Sequence, residues 1–243
     1  MNGILRCSRY SFGPNRLHYC GPDANSELLS YISHQTADPG LEAILGKFRT
    51  LFPYLKLIAQ ANRIQDPFDD RVVEAYWIGN RMLDNIGKQS LYDHLIDELE
   101  LKKRLPAAHF NELADKIAGN AVPHHSFHVL NIWTRTGHDQ RAHTLASMDS
   151  CRIAWGKVAT VDGPNITVET EPLVIQNGKL VLGKPIQKKL LRRLESQTDI
   201  EDLRPGNLIT IHWDVPCEVV APAEIAQLKK YTLQSIAFAN QTI

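Results

Sequence analysis

The chain has 243 residues, with 27 Lys plus Arg balanced by 27 Asp plus Glu, and four cysteines. That length supports a self-sufficient core without disulfide staples, and zero net charge supplies no general field toward nucleic acid or an anionic membrane. No stretch approaches the roughly 18 apolar residues of a membrane span and the N-terminus lacks the apolar run of a secretory signal. The expectation is therefore a cytoplasmic protein, partnered with neither nucleic acid nor membrane, whose Cys7, Cys20, Cys151 and Cys217 stay reduced.

The first segment, "CSRYSFGPNRLHYCGPD" over residues 7–23, sets polar and aromatic residues among Gly and Pro without amphipathic period. It reads either as a functional loop or as an arm strapped over the helical domain. Helical signals follow from about residue 24 to 118. Asp38-Pro39 and Asp66-Pro67 each place a capping carboxylate before a proline at the first helical position, where a missing N–H costs nothing. Leu41, Ile44, Leu45 and Phe48 share a face after the first. Val72, Tyr76 and Leu83 share one after the second, with Gly87 as its expected stop. Leu91, Leu95 and Leu99 mark another helix, and Leu113 with Ile117 a shorter one.

Between 119 and 149 the pattern is weak: "SFHVLNIW" could be a strand and "RTGHDQRAHT" a loop. The texture then turns to β-branched residues in "RIAWGKVATV", "NITVET", "LVIQNGKLVLG", "NLITIHW" and "CEVV". Asn177-Gly178 is the dipeptide of a type I′ hairpin, whose two central residues both need positive φ. Short strands with Gly and Pro punctuation predict a small barrel, and a helix from Pro222, with Ile225, Leu228, Thr232, Ile236 and Ala239 on one side, is expected to pack on it. The fold class is thus α+β: an all-α part over 1–148, then an OB-like β-barrel with a C-terminal helix over 149–243.

"CRIAWGKVATVDG" places Cys151, Gly156, Asp162 and Gly163 in the order found at the start of the HypC/HupF family of small [NiFe]-hydrogenase maturation chaperones, and "LRPGNLITIHWDVPCEVVAPAEIAQL" continues with that family's Pro-Gly turn, a strand ending in His212 and a helix. Residues from about 150 to 240 resemble this family; the first 145 resemble none. The resemblance implies that Cys151 and His212 are metal ligands. They would transiently hold iron carrying cyanide and carbon monoxide, for delivery to the hydrogenase large-subunit precursor with other maturation proteins as partners. The chain differs from the family in three ways. Cys151 is internal rather than N-terminal, Trp155 stands where the family has Pro, and Trp213-Asp214-Val215-Pro216 replaces a glycine-containing segment.

The chemistry of the pair stands by itself. A thiolate with an imidazole suits iron, zinc or copper, and two protein ligands hold a metal weakly enough to let it go. Other residues stay open as members of a site: His124, His125 and His128 in "PHHSFH", and Cys7, Cys20 and Cys217. Cys217 reads first as a small core residue. Glu74, amid apolar neighbours, is either a buried carboxylate or the solvent edge of its helix, and the basic run Lys188, Lys189, Arg192 and Arg193 reads as a solvated face. No phosphate-binding loop or nucleophile elbow is present. Whether the protein is an enzyme is left open. The alternative to delivery is a metal-dependent enzyme whose helical part acts on a small ligand at the Cys/His site.

Overall fold

The computed structural model describes residues 2–132, 144–192 and 202–243. The loop expected over 135–144 lies outside them except for Thr144, as do Trp133 and Arg193.

The chain begins with α1 (Gly3–Asn15), nearly every residue of which is buried. This corrects both readings of 7–23: the segment up to Asn15 is neither loop nor arm but a helix inside the protein. A helix covered on all sides has no polar face, so it carries no amphipathic signal. Its Asn2 cap accepts from the Leu5 N–H at 3.2 Å.

Helices α2 (Asn25–His34), α3 (Pro39–Leu45) and α5 (Asp70–Trp77) pack on it, and α4 (Leu51–Ala61) packs on α5. Asp38 caps α3 as expected, accepting from the N–H groups of Gly40 and Leu41. The helix expected from Asp66-Pro67 to Gly87 is broken. Asp66 accepts from Phe68 N–H in a turn, and Asp69 caps α5. Gly79 then stops it at φ +96°, where a Cβ would lie 2.1 Å from the Tyr231 ring. Leu83 sits in a short 3₁₀ turn, and Gly87 precedes α6 (Lys88–Asp97) rather than ending a helix. Then come α7 (Leu101–Arg104), α8 (Ala107–Ala118), and α9 (His125–Phe127), which continues as a π-turn over His128–Ile132. The strand considered for "SFHVLNIW" is thus helical as far as Ile132. Its side chains are covered all round, so period could not separate the two.

Next come α10 (Leu145–Cys151), the strands β1 (Ala154–Asp162), β2 (Asn165–Thr170), β3 (Leu173–Gln176), β4 (Lys179–Leu182), β5 (Ile186–Leu191), β6 (Leu208–His212) and β7 (Val215–Val219), and finally α11 (Pro222–Ala239). Five strands form an antiparallel sheet in the order β5-β2-β1-β6-β7, and β3 pairs with β4 alone. Asn177 and Gly178 turn that hairpin at φ 52° and 75°. Among the described residues the sheet is not closed: β5 and β7 touch but form no ladder. The closed barrel is corrected to an open sheet, and Pro216, lacking an N–H, suits the edge strand β7.

The division expected at residue 148 falls within α10. The largest apolar cluster takes Ile153, Trp155, Val215, Cys217 and Val220 together with Tyr10, Tyr76 and Trp77 from the helices. Helix α11 packs chiefly on the 125–132 segment and on β4, not on the five-stranded sheet, whose own cluster centres on Val158, Ile166, Val168, Ile209 and Ile211. No helix of the described residues is long and apolar enough to cross a membrane.

The two regions are joined by a buried ion cluster. Arg6 on α1 meets Glu218 of β7 at 2.8 and 3.0 Å, Glu224 of α11 at 3.0 Å, and Asp70 and Glu74 of α5 at 3.3 and 3.2 Å. Glu74 is therefore an ion-pair partner. Burial works against the Arg6 charge, but Glu218 and its neighbours outweigh that and raise the guanidinium above its ordinary range. Removing one partner of such a cluster leaves the other charge buried and uncompensated, so Arg6→Ala should cost about 3–5 kcal/mol in urea denaturation.

His94 of α6 provides a pH test. It is buried beside the Tyr54 ring at 4.8 Å, its Nε2 lacks a partner, and burial with the Lys56 charge holds its pKa down to about 4. Above pH 6.5 the ring is neutral in folded and unfolded chains alike. As the pH falls from 6.5 toward 4 the unfolded chain takes the proton first, so stability drops, by about 3 kcal/mol for the full shift. His94→Phe should remove that part of the acid sensitivity, read as a smaller stability difference between pH 7 and 4.5 than in the wild type.

Candidate metal centre

Three side chains from different elements converge. His125, at the start of α9, Cys151, the last residue of α10, and His212, the last residue of β6, place their donor atoms within 4.8 Å of one another. Cys151 ends a helix instead of opening a strand. The structure brings it together with His212, as the sequence pairing required, and adds His125.

Local chemistry explains each placement. Thr144 and Ser147 form a reciprocal cap that starts α10. Arg152, buried just beyond it, donates from Nε to Asp149 at 3.0 Å, and Asp149 also accepts from Leu173 N–H at 2.8 Å. The same guanidinium lies 5.5 Å from the Trp155 ring centroid. These contacts fix the end of the helix that carries Cys151. His212 is followed by a two-residue turn in which Trp213 and Asp214 both have positive φ, 50° and 62°. The Trp213 N–H donates to the Ser150 carbonyl at 2.8 Å, tying the turn to the residue before Cys151.

Hydrogen bonds set the state of each imidazole. The Nδ1 of His212 lies 2.6 Å from the Tyr10 carbonyl, which can only accept, so Nδ1 carries the proton. That leaves the lone pair on Nε2, which is buried and makes no hydrogen bond. The Cys151 carbonyl is close enough to this ring to be felt electrostatically without the geometry of a bond. Burial pushes the His212 pKa down to about 4, against the pull of the Tyr10 and Cys151 carbonyls. In His125, Nε2–H donates to the Cys151 carbonyl at 2.8 Å and Nδ1 accepts from Tyr76 Oη at 3.1 Å. Burial first, then the neighbouring His212, hold it well below the usual histidine range.

Both rings are thus neutral near pH 7, the form that binds a metal. A tetrahedral centre with sulfur at about 2.3 Å and nitrogen at about 2.0 Å spaces its donors roughly 3.5 Å apart. Side-chain shifts of about 1 Å would draw the three donors onto one ion. His125 would join through Nε2 by moving its proton to Nδ1, where the Tyr76 hydroxyl, able to accept as well as donate, receives it. The cluster is a candidate ligand set because three donors suited to one metal converge within 4.8 Å, and His212 keeps a buried Nε2 without a hydrogen bond.

The remaining candidates lie elsewhere. His124 is buried, stacks on Tyr231 at 5.2 Å and accepts from Ser126 N–H, while His128 sits 3.3 Å from Tyr54 Oη. His124 is the cap of α9 and lies outside the helix, so it shares no helical face with His128. Cys7 and Cys217 are buried, Cys217 among core residues as its first reading had it. Burial drives the Cys7 thiol up to about 12. Lys188 of the basic run pairs with Asp214 at 2.5 Å. His125 was legible only as one of three histidines within five residues, and nothing local in "PHHSFH" distinguishes it from the other two.

Because His125 comes from the helical part, an ion at this centre would link it to the strands. Zinc added to the reduced protein should raise Tm in proportion to the logarithm of its concentration once above Kd. His212→Ala and His125→Ala should each abolish that rise, and an undiminished rise in His212→Ala would place the binding elsewhere.

No curated protein and no solved structure matches the chain. The family model that matches, over residues 1–243, is described as a family of unknown function (DUF6390), and the chain belongs to that family.

Proposed function

We propose that this protein is a metallocentre-assembly factor that takes up a transition-metal fragment at Cys151 and His212, with His125 as a third ligand, and hands it on. One observation carries the reading: Cys151, His125 and His212 each bring a donor atom within 4.8 Å of the other two, and His212 keeps a buried Nε2 without a hydrogen bond. A thiol with two neutral imidazoles selects soft or borderline metals over magnesium or calcium.

The hydrogenase-maturation form of the proposal rests on the resemblance around Cys151 and His212. In it the cargo is iron with cyanide and carbon monoxide, the recipient is the precursor of a [NiFe]-hydrogenase large subunit, and the setting is a reducing cytoplasm. We also propose the OB-type relationship for the sheet. What supports it is that the edge strands β5 and β7 lie against each other, as in a barrel short of closure.

The third ligand favours a second reading. Three protein ligands with one open position is the ligand count of catalytic zinc, and His125 with Tyr76 brings the helical part to the metal. The alternative is then a metal-dependent enzyme acting on a small ligand at that position.

Infrared spectroscopy with metal analysis of protein purified without oxygen, from a host with a [NiFe]-hydrogenase, tests the first reading. Bound iron with cyanide and carbon monoxide bands is expected, lost in Cys151→Ala and His212→Ala and kept in the exposed control Lys189→Ala. Full hydrogenase maturation by both ligand variants would end the assembly reading and leave the enzyme reading in front.

A further inference from the structure

The five-stranded sheet curls around a cavity on the face turned away from the metal centre. Cross-strand register sets Ala154 of β1 opposite Ile211 of β6, and Val168 of β2 opposite Lys188 of β5. Partners in a ladder project to the same face. That face buries Val158, Val168 and Ile211 in the sheet's own cluster. His212, the residue after Ile211, lies instead beside Trp77 and His125 of the helical part. Strand β5 reaches round to touch β7, so side chains from strands that are not neighbours, Ala154, Ile211 and Lys188, line one cavity of about 130 Å³.

Its wall joins apolar side chains, Ala154, Pro172, Ile186 and Ile211, to two ion pairs. Lys188 meets Asp214 at 2.5 Å. Arg152 gives Nε and Nη2 to Asp149 at 3.0 and 2.9 Å, and Nη2 also to the Glu171 carbonyl at 2.5 Å. Its Nη1 makes no hydrogen bond, although the residue is only 1% exposed. The Trp155 ring, 5.5 Å from the guanidinium carbon, offers it no nitrogen or oxygen acceptor. A buried donor on a cation is costly to leave unmet, and a carboxylate meets it with a charge-assisted bond.

The same wall limits the rest of the ligand. A dianion such as phosphate would lie against Asp149 and Asp214, whereas a single negative charge can be shared between Arg152 and Lys188. The apolar residues call for a hydrocarbon body. Since a cavity of about 150 Å³ takes up benzene, this one accommodates about six heavy atoms.

We propose that this cavity binds a small aliphatic monocarboxylate of the size of butyrate, its carboxylate between Arg152 Nη1 and Lys188 and its chain against Ala154, Ile186 and Ile211. The site uses none of His125, Cys151 and His212, so it stands or falls separately from the metal centre.

Isothermal titration of the full-length chain with sodium butyrate tests this, with a chelator present so that no carboxylate binds through a metal and with chloride holding the ionic strength constant. Saturable binding with Kd of about 1 mM or tighter is expected. Butyramide, which keeps the shape without the charge, and inorganic phosphate should each bind roughly tenfold more weakly or worse. Lys188→Gln removes one cation and Ala154→Leu fills the cavity; each should keep the native circular dichroism and weaken butyrate by roughly tenfold or more. Lys189→Gln, exposed on the other face of β5, should leave binding unchanged. If butyrate shows no saturation at concentrations about tenfold above the expected Kd, the cavity holds water alone and the proposal is overturned. It is overturned equally if phosphate binds as tightly as butyrate, or if both cavity variants bind butyrate as the wild type does.

Discussion

Arg6 joins what the chain order separates. Its guanidinium sits on an almost wholly buried helix and reaches carboxylates on α5, β7 and α11, so the first turn of the protein is bonded to its last strand and last helix. Such a cluster contributes little net stability compared with apolar packing of the same volume, but each of its charges is costly to leave alone. Its effect is to allow few relative placements of helices and sheet.

The site inherits that placement. Glu218, held by Arg6, also accepts from Tyr10 Oη at 2.6 Å, and Tyr10 Oη lies 2.9 Å from Thr210 Oγ1 on β6. With the side chain of Tyr10 held on β6 and β7, its carbonyl meets His212 Nδ1, which sets the tautomer and leaves Nε2 as the only nitrogen able to bind a metal. A structural ion pair in one layer thereby decides the chemistry available in the next. Trp77 stacks on Tyr10 at 5.2 Å and lies 4.5 Å from His125, so the same packing places the candidate ligand from the helical part.

Burial serves a second purpose here. Desolvation keeps His125 and His212 neutral near pH 7, while the carbonyls of Tyr10 and Cys151 and the hydroxyl of Tyr76 satisfy three of their four nitrogens. A polar group left unpaired inside a protein costs free energy, and His212 Nε2 is kept at that cost. Metal binding would return it, which ties the stability of the fold to occupancy of the site.

Where burial is one-sided or backbone geometry is special, residues along the chain were enough. The Asp38 cap, the Asn177-Gly178 turn, the alternating strands and the helix from Pro222 each follow from local preferences of a few neighbouring residues. The pairing of Cys151 with His212 was expected from the order of the residues around them, and their donor atoms do lie within 4.8 Å. The helix at 3–15, the helical turn at 125–132 and the selection of His125 over His124 and His128 were decided by the tertiary structure. Elements covered on every side lose the polar face that periodicity needs, and which histidine comes near the thiol is set by long-range packing, a distance that no local pattern encodes.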